Sequence, residues 1–320
     1  MNNRIHTSQE THAGICIHVV QYQPTERPIE DRFSIDFEEH SKRLIVGVYD
    51  GHGGVATSDH ISKVLPAAIL GSQPSDHAKT FEAVDSEMLT AFQKDHSLFR
   101  SKSSKWVQNA DVIKSGCTAL VLEINVDDLT ALFANAGDCR LVIANSNGDQ
   151  EALLQTTDLN AKSLSEQERL AREHPGEELV VVSGRLFGKL MSTRGFGDGY
   201  YKLPTGILNR QHKKYINVLS SIETSSKVPM SDQYDSYFYG YKTPPYVVST
   251  PVTGLTQLEK GNFVIMATDG LWDLVSTDDA VRIVQEGIVS AAESLANYLL
   301  DTVMSITPPG DDVTIIILRL

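Results

Sequence analysis

Apolar residues change their spacing several times along the chain, and each change marks an element. The runs Leu44-Ile45-Val46-Gly47-Val48-Tyr49 and Phe263-Val264-Ile265-Met266-Ala267-Thr268 are continuously apolar, which predicts buried strands, and Gly14-Ile15-Cys16-Ile17-His18-Val19-Val20 predicts another strand. Between them Ala56, Ile61, Val64, Leu65 and Ala68 recur at helical spacing, as do Phe81, Val84, Met88 and Phe92, with Ser75 or Asp76 available as cap. Residues 118–124, 129–134 and 140–144 read as strands separated by Asp127-Asp128 and Ala136-Gly137-Asp138, so an antiparallel meander is the economical topology. Ser163-Leu164-Ser165-Glu166 fits a capping box, and Ser276 with Asp279 and Ser290 with Glu293 repeat the device before two amphipathic segments carrying Val281, Val284, Ile288 and Leu295, Tyr298, Leu299. The pattern is that of an α+β protein in which helices cover antiparallel or mixed sheets. Residues 203–241 stand apart as a long polar stretch rich in Tyr and Ser, either a flap near a site or a solvated insertion.

Composition narrows the picture. A chain of 320 residues with no linker-like break is expected to form a single domain over 1–320, with 203–241 as flap or insertion. A net charge of -13 with no basic face argues against nucleic-acid binding. Cys16, Cys117 and Cys139 are not spaced for zinc and read as core or near-core thiols of a reducing compartment. No apolar run approaches the ~20 residues of a membrane helix, so integral membrane contact is not expected. The first dozen residues hold Arg4 as their only strong base and already include Glu10, so a mitochondrial presequence is not visible. The expectation is an intracellular monomer, cytoplasmic, with the mitochondrial matrix as alternative.

The candidate chemistry lies where apolar runs end. The first buried run delivers Asp50-Gly51-His52-Gly53-Gly54, the second Asp269-Gly270, and Pro309-Gly310-Asp311-Asp312 opens the terminal strand; Glu30-Asp31 adds a further acidic point. Asp-Gly is also common hairpin chemistry, but both pairs follow runs that read as buried, and the first leads into helix signals. Scattered carboxylates of this kind suit hard dications such as Mg2+ and Mn2+, which take oxygen ligands.

These residues carry a resemblance. With Gly116-Cys117-Thr118-Ala119, Ala134-Asn135-Ala136-Gly137-Asp138-Cys139-Arg140, Thr193-Arg194-Gly195-Phe196-Gly197-Asp198, Ala267-Thr268-Asp269-Gly270-Leu271-Trp272-Asp273 and Asp311-Asp312-Val313-Thr314, the chain resembles the protein phosphatase 2C family of metal-dependent Ser/Thr phosphatases along nearly its whole length. Pro28-Ile29-Glu30-Asp31-Arg32, Arg185-Leu186-Phe187-Gly188-Lys189-Leu190 and Thr243-Pro244-Pro245-Tyr246 are most similar to the pyruvate dehydrogenase phosphatase branch.

The resemblance implies a four-layer α-β-β-α sandwich of two antiparallel sheets flanked by helices. It also implies hydrolysis of phosphoserine and phosphothreonine by a metal-activated water at a dinuclear Mg2+ or Mn2+ centre. In that scheme Asp50 bridges the ions, the Gly51 carbonyl completes one shell, and Asp269 and Asp311 hold the other ion. Glu30 and Asp31 complete the site, and Asp138 helps hold a third, weaker ion. His52 is the general acid and Arg27 the phosphate clamp, although Arg27 stands one residue nearer the acidic pair than the family's usual arginine. Asp312 occupies a place where the family usually has Asn, Arg194 and Asp198 read as an ion pair or turn anchor, and Trp272 as a packing residue. Expected partners are phosphoproteins, with a mitochondrial dehydrogenase complex among them. A catalytically silent scaffold would lack some of these carboxylates, a cysteine phosphatase would need a Cys loop with a downstream Arg, and a nuclease would need a basic groove.

Overall fold

Strands and helices alternate in the chain, yet they sort into separate layers. The computed structural model describes residues 5–99, 101, 103–147, 151–204, 210–221 and 241–320. Six antiparallel strands form one sheet in the spatial order Ile5–His12, Ile15–Tyr22, Val313–Arg319, Asn262–Ala267, Arg140–Asn145 and Leu154–Gln155. Five more form a second sheet in the order Val252–Gln257, Thr130–Ala136, Ala119–Asn125, Arg43–Tyr49 and Arg32–Glu38.

The continuously apolar runs are explained by burial on both faces. Because side chains alternate across a strand, Leu44, Val46 and Val48 face Val264, Met266, Ile316 and Leu318 in the core between the sheets. Ile45 and Tyr49 face the opposite way, against the helices Ala56–Leu70, His77–Asp95 and Trp106–Lys114. On the far side Phe263, Ile265, Ile315 and Ile317 pack against the helices Thr277–Val289 and Leu295–Met304. Helix, sheet, sheet, helix is the layer order implied by the resemblance. Among the described residues no helix is long and apolar enough to cross a membrane, and all three cysteines are free thiols, with Cys117 and Cys139 buried.

Several local expectations are corrected. The meander breaks at residue 137: strand Thr130–Ala136 stays in the five-stranded sheet, whereas Arg140–Asn145 joins the six-stranded one beside Asn262–Ala267. The connection therefore crosses between sheets and leaves Asp138 at their shared edge. Ser163 does precede its helix, but makes no side-chain cap, because Glu166 is turned inward to Arg169, Arg194 and Thr193. Ser276 caps as expected, accepting from Asp279 N at 3.2 Å, whereas the last helix is capped by Ser294 and Ser290 ends the helix before it. Asp76 stands at its N-cap position without capping and pairs with Lys79. Strand Ile5–His12 and helix Trp106–Lys114 escaped the pattern; the strand is an edge whose residues are mostly exposed, so no apolar alternation marks it.

Part of 203–241 lies outside the described residues, but Arg210–Ser221 is a helix. It buries Tyr215, Ile216 and Leu219 against the helical layer, and Gln211 and Lys214 bond the backbone at residues 96–98. No described residue between 204 and 241 lines the cavity at the sheet edges.

Candidate active site

A third, small sheet extends the five-stranded one, two of its strands lying one residue beyond Arg43–Tyr49 and one residue before Ala119–Asn125. In it Gly51–His52 pairs with Gly116–Cys117, which pairs on its other side with Phe196–Gly197. Gly116 is required there, since a Cβ would overlap the His52 ring nitrogen and the Asp198 carboxylate. Gly51 is equally constrained: a Cβ would strike the Glu30 carbonyl. These short ladders bring residues 50–52, 116 and 198 to one point although they lie far apart in sequence.

The result is a cavity of about 480 Å3 lined by Asp50, Gly51, His52, Glu30, Asp138, Asp269 and Asp311. Burial and mutual repulsion dominate its electrostatics. Asp50 is pushed well above the ordinary carboxylate range by burial and by the charges of Asp269, Asp31, Asp138 and Asp311. Asp269 is raised to about 7 by burial, then by Asp138, Asp273 and Asp311. Asp138 is raised by burial, against a 3.0 Å hydrogen bond from Asn160 Nδ2. Gathered acids that raise one another are poorly placed as bare anions and suit a compensating cation.

The expected carboxylates do not all play the same part. Asp31 is buried behind the cavity wall, where its Oδ2 accepts hydrogen bonds from Thr268 Oγ1 at 3.0 Å and Thr314 Oγ1 at 2.9 Å. Burial and the neighbouring Asp312 drive its carboxyl upward. Asp312 neither faces solvent nor lines the cavity; its Oδ2 accepts from Glu30 N at 2.7 Å, fixing the loop that carries Glu30. Glu30 Oε2 is itself buried without a hydrogen-bond partner, an acceptor awaiting one. Trp272 donates Nε1–H to Ala267 O at 3.0 Å and lies under the Arg140 guanidinium, bracing the strand end before Asp269. Arg27 is exposed and does not line the cavity; Lys114, Arg185 and Lys189 do.

Hard oxygen donors in this number match Mg2+ or Mn2+ in type. Among the described residues no three His, Cys, Asp or Glu side chains already stand at closed metal-binding spacing. The fit therefore rests on the donor set, the unpartnered Glu30 oxygen and the uncompensated acids.

Asp198 was missed as a functional residue. The expected Arg194–Asp198 pair does not form: Arg194 donates to Glu166 from Nε at 3.0 Å and Nη2 at 2.7 Å, while Asp198 faces His52 Nε2 at 2.9 and 3.0 Å. Burial pulls the imidazole pKa down, but the charge and hydrogen bond of Asp198, helped by Asp138 and Glu30, outweigh it and hold His52 above its ordinary value. Asp198 adopts a left-handed backbone (φ 52°) just after Gly197, a conformation Asp tolerates better than most residues.

The fold is a two-sheet sandwich flanked by helices, with a carboxylate cavity and a histidine anchored on Asp198 at its sheet edges. The model of the family described as protein phosphatase 2C matches residues 19–307, and the chain belongs to that family. It is 31% identical to a protein phosphatase 2C homolog of Schizosaccharomyces pombe across 75% of this chain and 55% of that protein. It is 29% identical to the mitochondrial [pyruvate dehydrogenase [acetyl-transferring]]-phosphatase 1 of Saccharomyces cerevisiae across 88% of this chain and 53% of that one. The chain thus spans about half the length of these curated relatives. Among solved structures, a phosphatase from a pathogenic strain of Toxoplasma gondii shares the fold with a TM-score of 0.65 at 13% identity, covering 99% of this chain and 94% of that one.

Proposed function

We propose that the chain is a Mg2+- or Mn2+-dependent protein phosphatase that hydrolyses phosphoserine and phosphothreonine. The observation that carries this reading is the placement of Asp50, Asp138, Asp269 and Asp311 around one cavity with His52 anchored on Asp198 beside them. Asp50, Asp269 and Asp311, with the Gly51 carbonyl, would hold two dications; Glu30 and Asp31 support them, and Asp138 would serve a third. When bound, such ions lower the pKa of water and neutralise phosphoryl oxygens.

The protein's own groups supply the rest. A serine or threonine alkoxide is a strongly basic leaving group, so its departure needs a proton. Asp198 engages His52 Nε2 and holds the imidazole pKa above its ordinary value against burial, which favours the proton-carrying form; Nδ1 makes no hydrogen bond among the described residues and would be the N–H that donates. Asp31, clamped by two threonine hydroxyls, and Asp312, clamping Glu30, keep the acidic wall in place.

The names of the relatives support a mitochondrial dehydrogenase complex as one candidate substrate and the matrix as one candidate compartment, beside the cytoplasmic monomer expected above. Steady hydrolysis of a phosphothreonine peptide with Mg2+ or Mn2+, lost on chelation and restored by either ion, is the expected result. Undiminished turnover after exhaustive chelation would sink the reading.

A further inference from the structure

The cavity has two chemically distinct sides. Six carboxylates line it, from Glu30, Asp50, Asp138, Asp198, Asp269 and Asp311, yet Lys114, Arg185 and Lys189 line it too. In a chain of net charge -13, cations beside that many acids would ordinarily be consumed as ion pairs. Lys114 and Arg185 are not: neither makes an ion pair among the described residues, and the Arg185 guanidinium donates only to Lys189 O, at 2.9 Å.

Placement explains the separation. Lys114 ends the helix Trp106–Lys114, two residues before the Gly116 that backs His52. Arg185 and Lys189 come from a tight hairpin, Val181–Val182 paired with Arg185–Leu186, whose turn residues Ser183 and Gly184 both have positive φ. Lys189 follows through a second turn closed by Lys189 N to Leu186 O at 2.9 Å. The cations therefore come from elements other than the sheet ends that bear Asp50, Asp269 and Asp311. Lys114 is only 4% exposed, and burial lowers its pKa against the opposing charge of Asp111.

Two other lysines, Lys202 and Lys214, are otherwise engaged. Lys202 is buried in a 2.7 Å pair with Asp85, and Lys214 donates to Ser97 O.

We propose that Lys114, Arg185 and Lys189 form an anion-accepting wall that selects phosphoproteins carrying Asp or Glu beside the phosphorylated residue. This rests on the phosphatase reading above: the phosphoryl group occupies the carboxylate side and a flanking acid meets the cations. The cavity is roomier than a phosphoryl group needs, and opposite charge across a binding surface confers selectivity between partners.

The test compares phosphothreonine peptides identical except for Glu, Gln or Lys on both sides of the phosphoresidue, with Mg2+ present. The quantity read is the ratio of kcat/KM between Glu and Gln peptides, in which effects on chemistry or on the folded fraction cancel. The full chain should prefer the Glu peptide by roughly two- to fivefold per engaged cation, the size of a solvent-reached ion pair. That preference should shrink as salt is raised. Arg185→Gln and Lys114→Met should each lower the ratio, and Arg185→Glu should favour the Lys peptide. Arg185 is exposed, so its variants keep the test intact if Lys114→Met fails to fold. Hydrolysis of all three peptides at equal rates, or a ratio unchanged in both neutral variants, overturns the inference and leaves the phosphatase reading standing. No hydrolysis of any peptide with either metal overturns both.

Discussion

Two groups of buried carboxylates in this molecule titrate in opposite directions. Glu123 is buried among helices and strands, where burial would raise it. Hydrogen bonds from His77 Nε2 at 2.7 Å and from Arg43 at 2.7 and 2.8 Å, with the arginine charge, outweigh burial and hold it below its ordinary value. Glu166 behaves likewise between Arg194 and Arg169. At the sheet edges Asp50, Asp138 and Asp269 face other acids, and burial and repulsion push them up. The first setting is complete within the chain. On the proposed reading the second is completed by bound cations, and that difference would separate a structural ion pair from a site.

The sharpest way to break the comparison is to neutralise one acid in each setting. Asp50→Asn or Asp269→Asn should reduce phosphopeptide hydrolysis to background while the metal-free variant melts no lower than the parent, because the change relieves repulsion at nearly constant volume. A variant keeping near-parental turnover at saturating Mg2+ would remove that residue from the metal set.

His52→Gln should slow alkyl phosphoester hydrolysis by roughly 10^2- to 10^4-fold, the range of general acid catalysis, and spare aryl phosphates whose leaving groups need little help. Asp198→Asn should show the same leaving-group dependence at smaller size, roughly 10- to 100-fold, as expected of a group that orients another. Equal losses on both substrates would make either residue a general support.

Glu123→Gln tests the completed setting. It strands the Arg43 charge, so unfolding free energy should fall by about 3–5 kcal/mol, while the folded fraction keeps the metal dependence of the parent. Chemical denaturation reads the first quantity and a metal titration the second. A loss below about 1 kcal/mol would mean that solvent reaches the pair.

The smallest effect is the slope of stability with pH. Asp269, raised to about 7 from an ordinary 3.8, contributes stability that is full below about pH 4 and is lost as pH rises through about 7. Glu123 and Glu166, held low, contribute stability that is present above their ordinary value of 4.5 and lost as pH falls through their folded values. The metal-free protein should therefore melt lower at pH 8 than at pH 5.5, and Mg2+ or Mn2+ should remove most of that decline by binding the folded state. A rising melting temperature across that window without metal would contradict the acid repulsion.

The run of apolar residues before Asp50 and before Asp269 was enough to predict strands buried on both faces, since only such strands lack polar alternation. The glycines and acids at their ends pointed to one shared site, and the structure gathers Asp50, Asp269 and Asp311 around one cavity. What the pattern could not carry was the choice of partner. Residues 130–136 and 140–145 read alike as neighbouring strands, but they lie in different sheets, and that crossing carries Asp138 to the cavity. Arg194 and Asp198 are near in sequence and of opposite charge, but the pairs that form are Arg194 with Glu166 and Asp198 with His52. Lys114 and Arg185 give no local sign that they share a wall with the acids. Periodicity reports which face of an element is buried, because that depends on the element alone. Which buried acid meets a cation, a histidine or another acid depends on chain crossings between distant segments, and only the tertiary structure decides them.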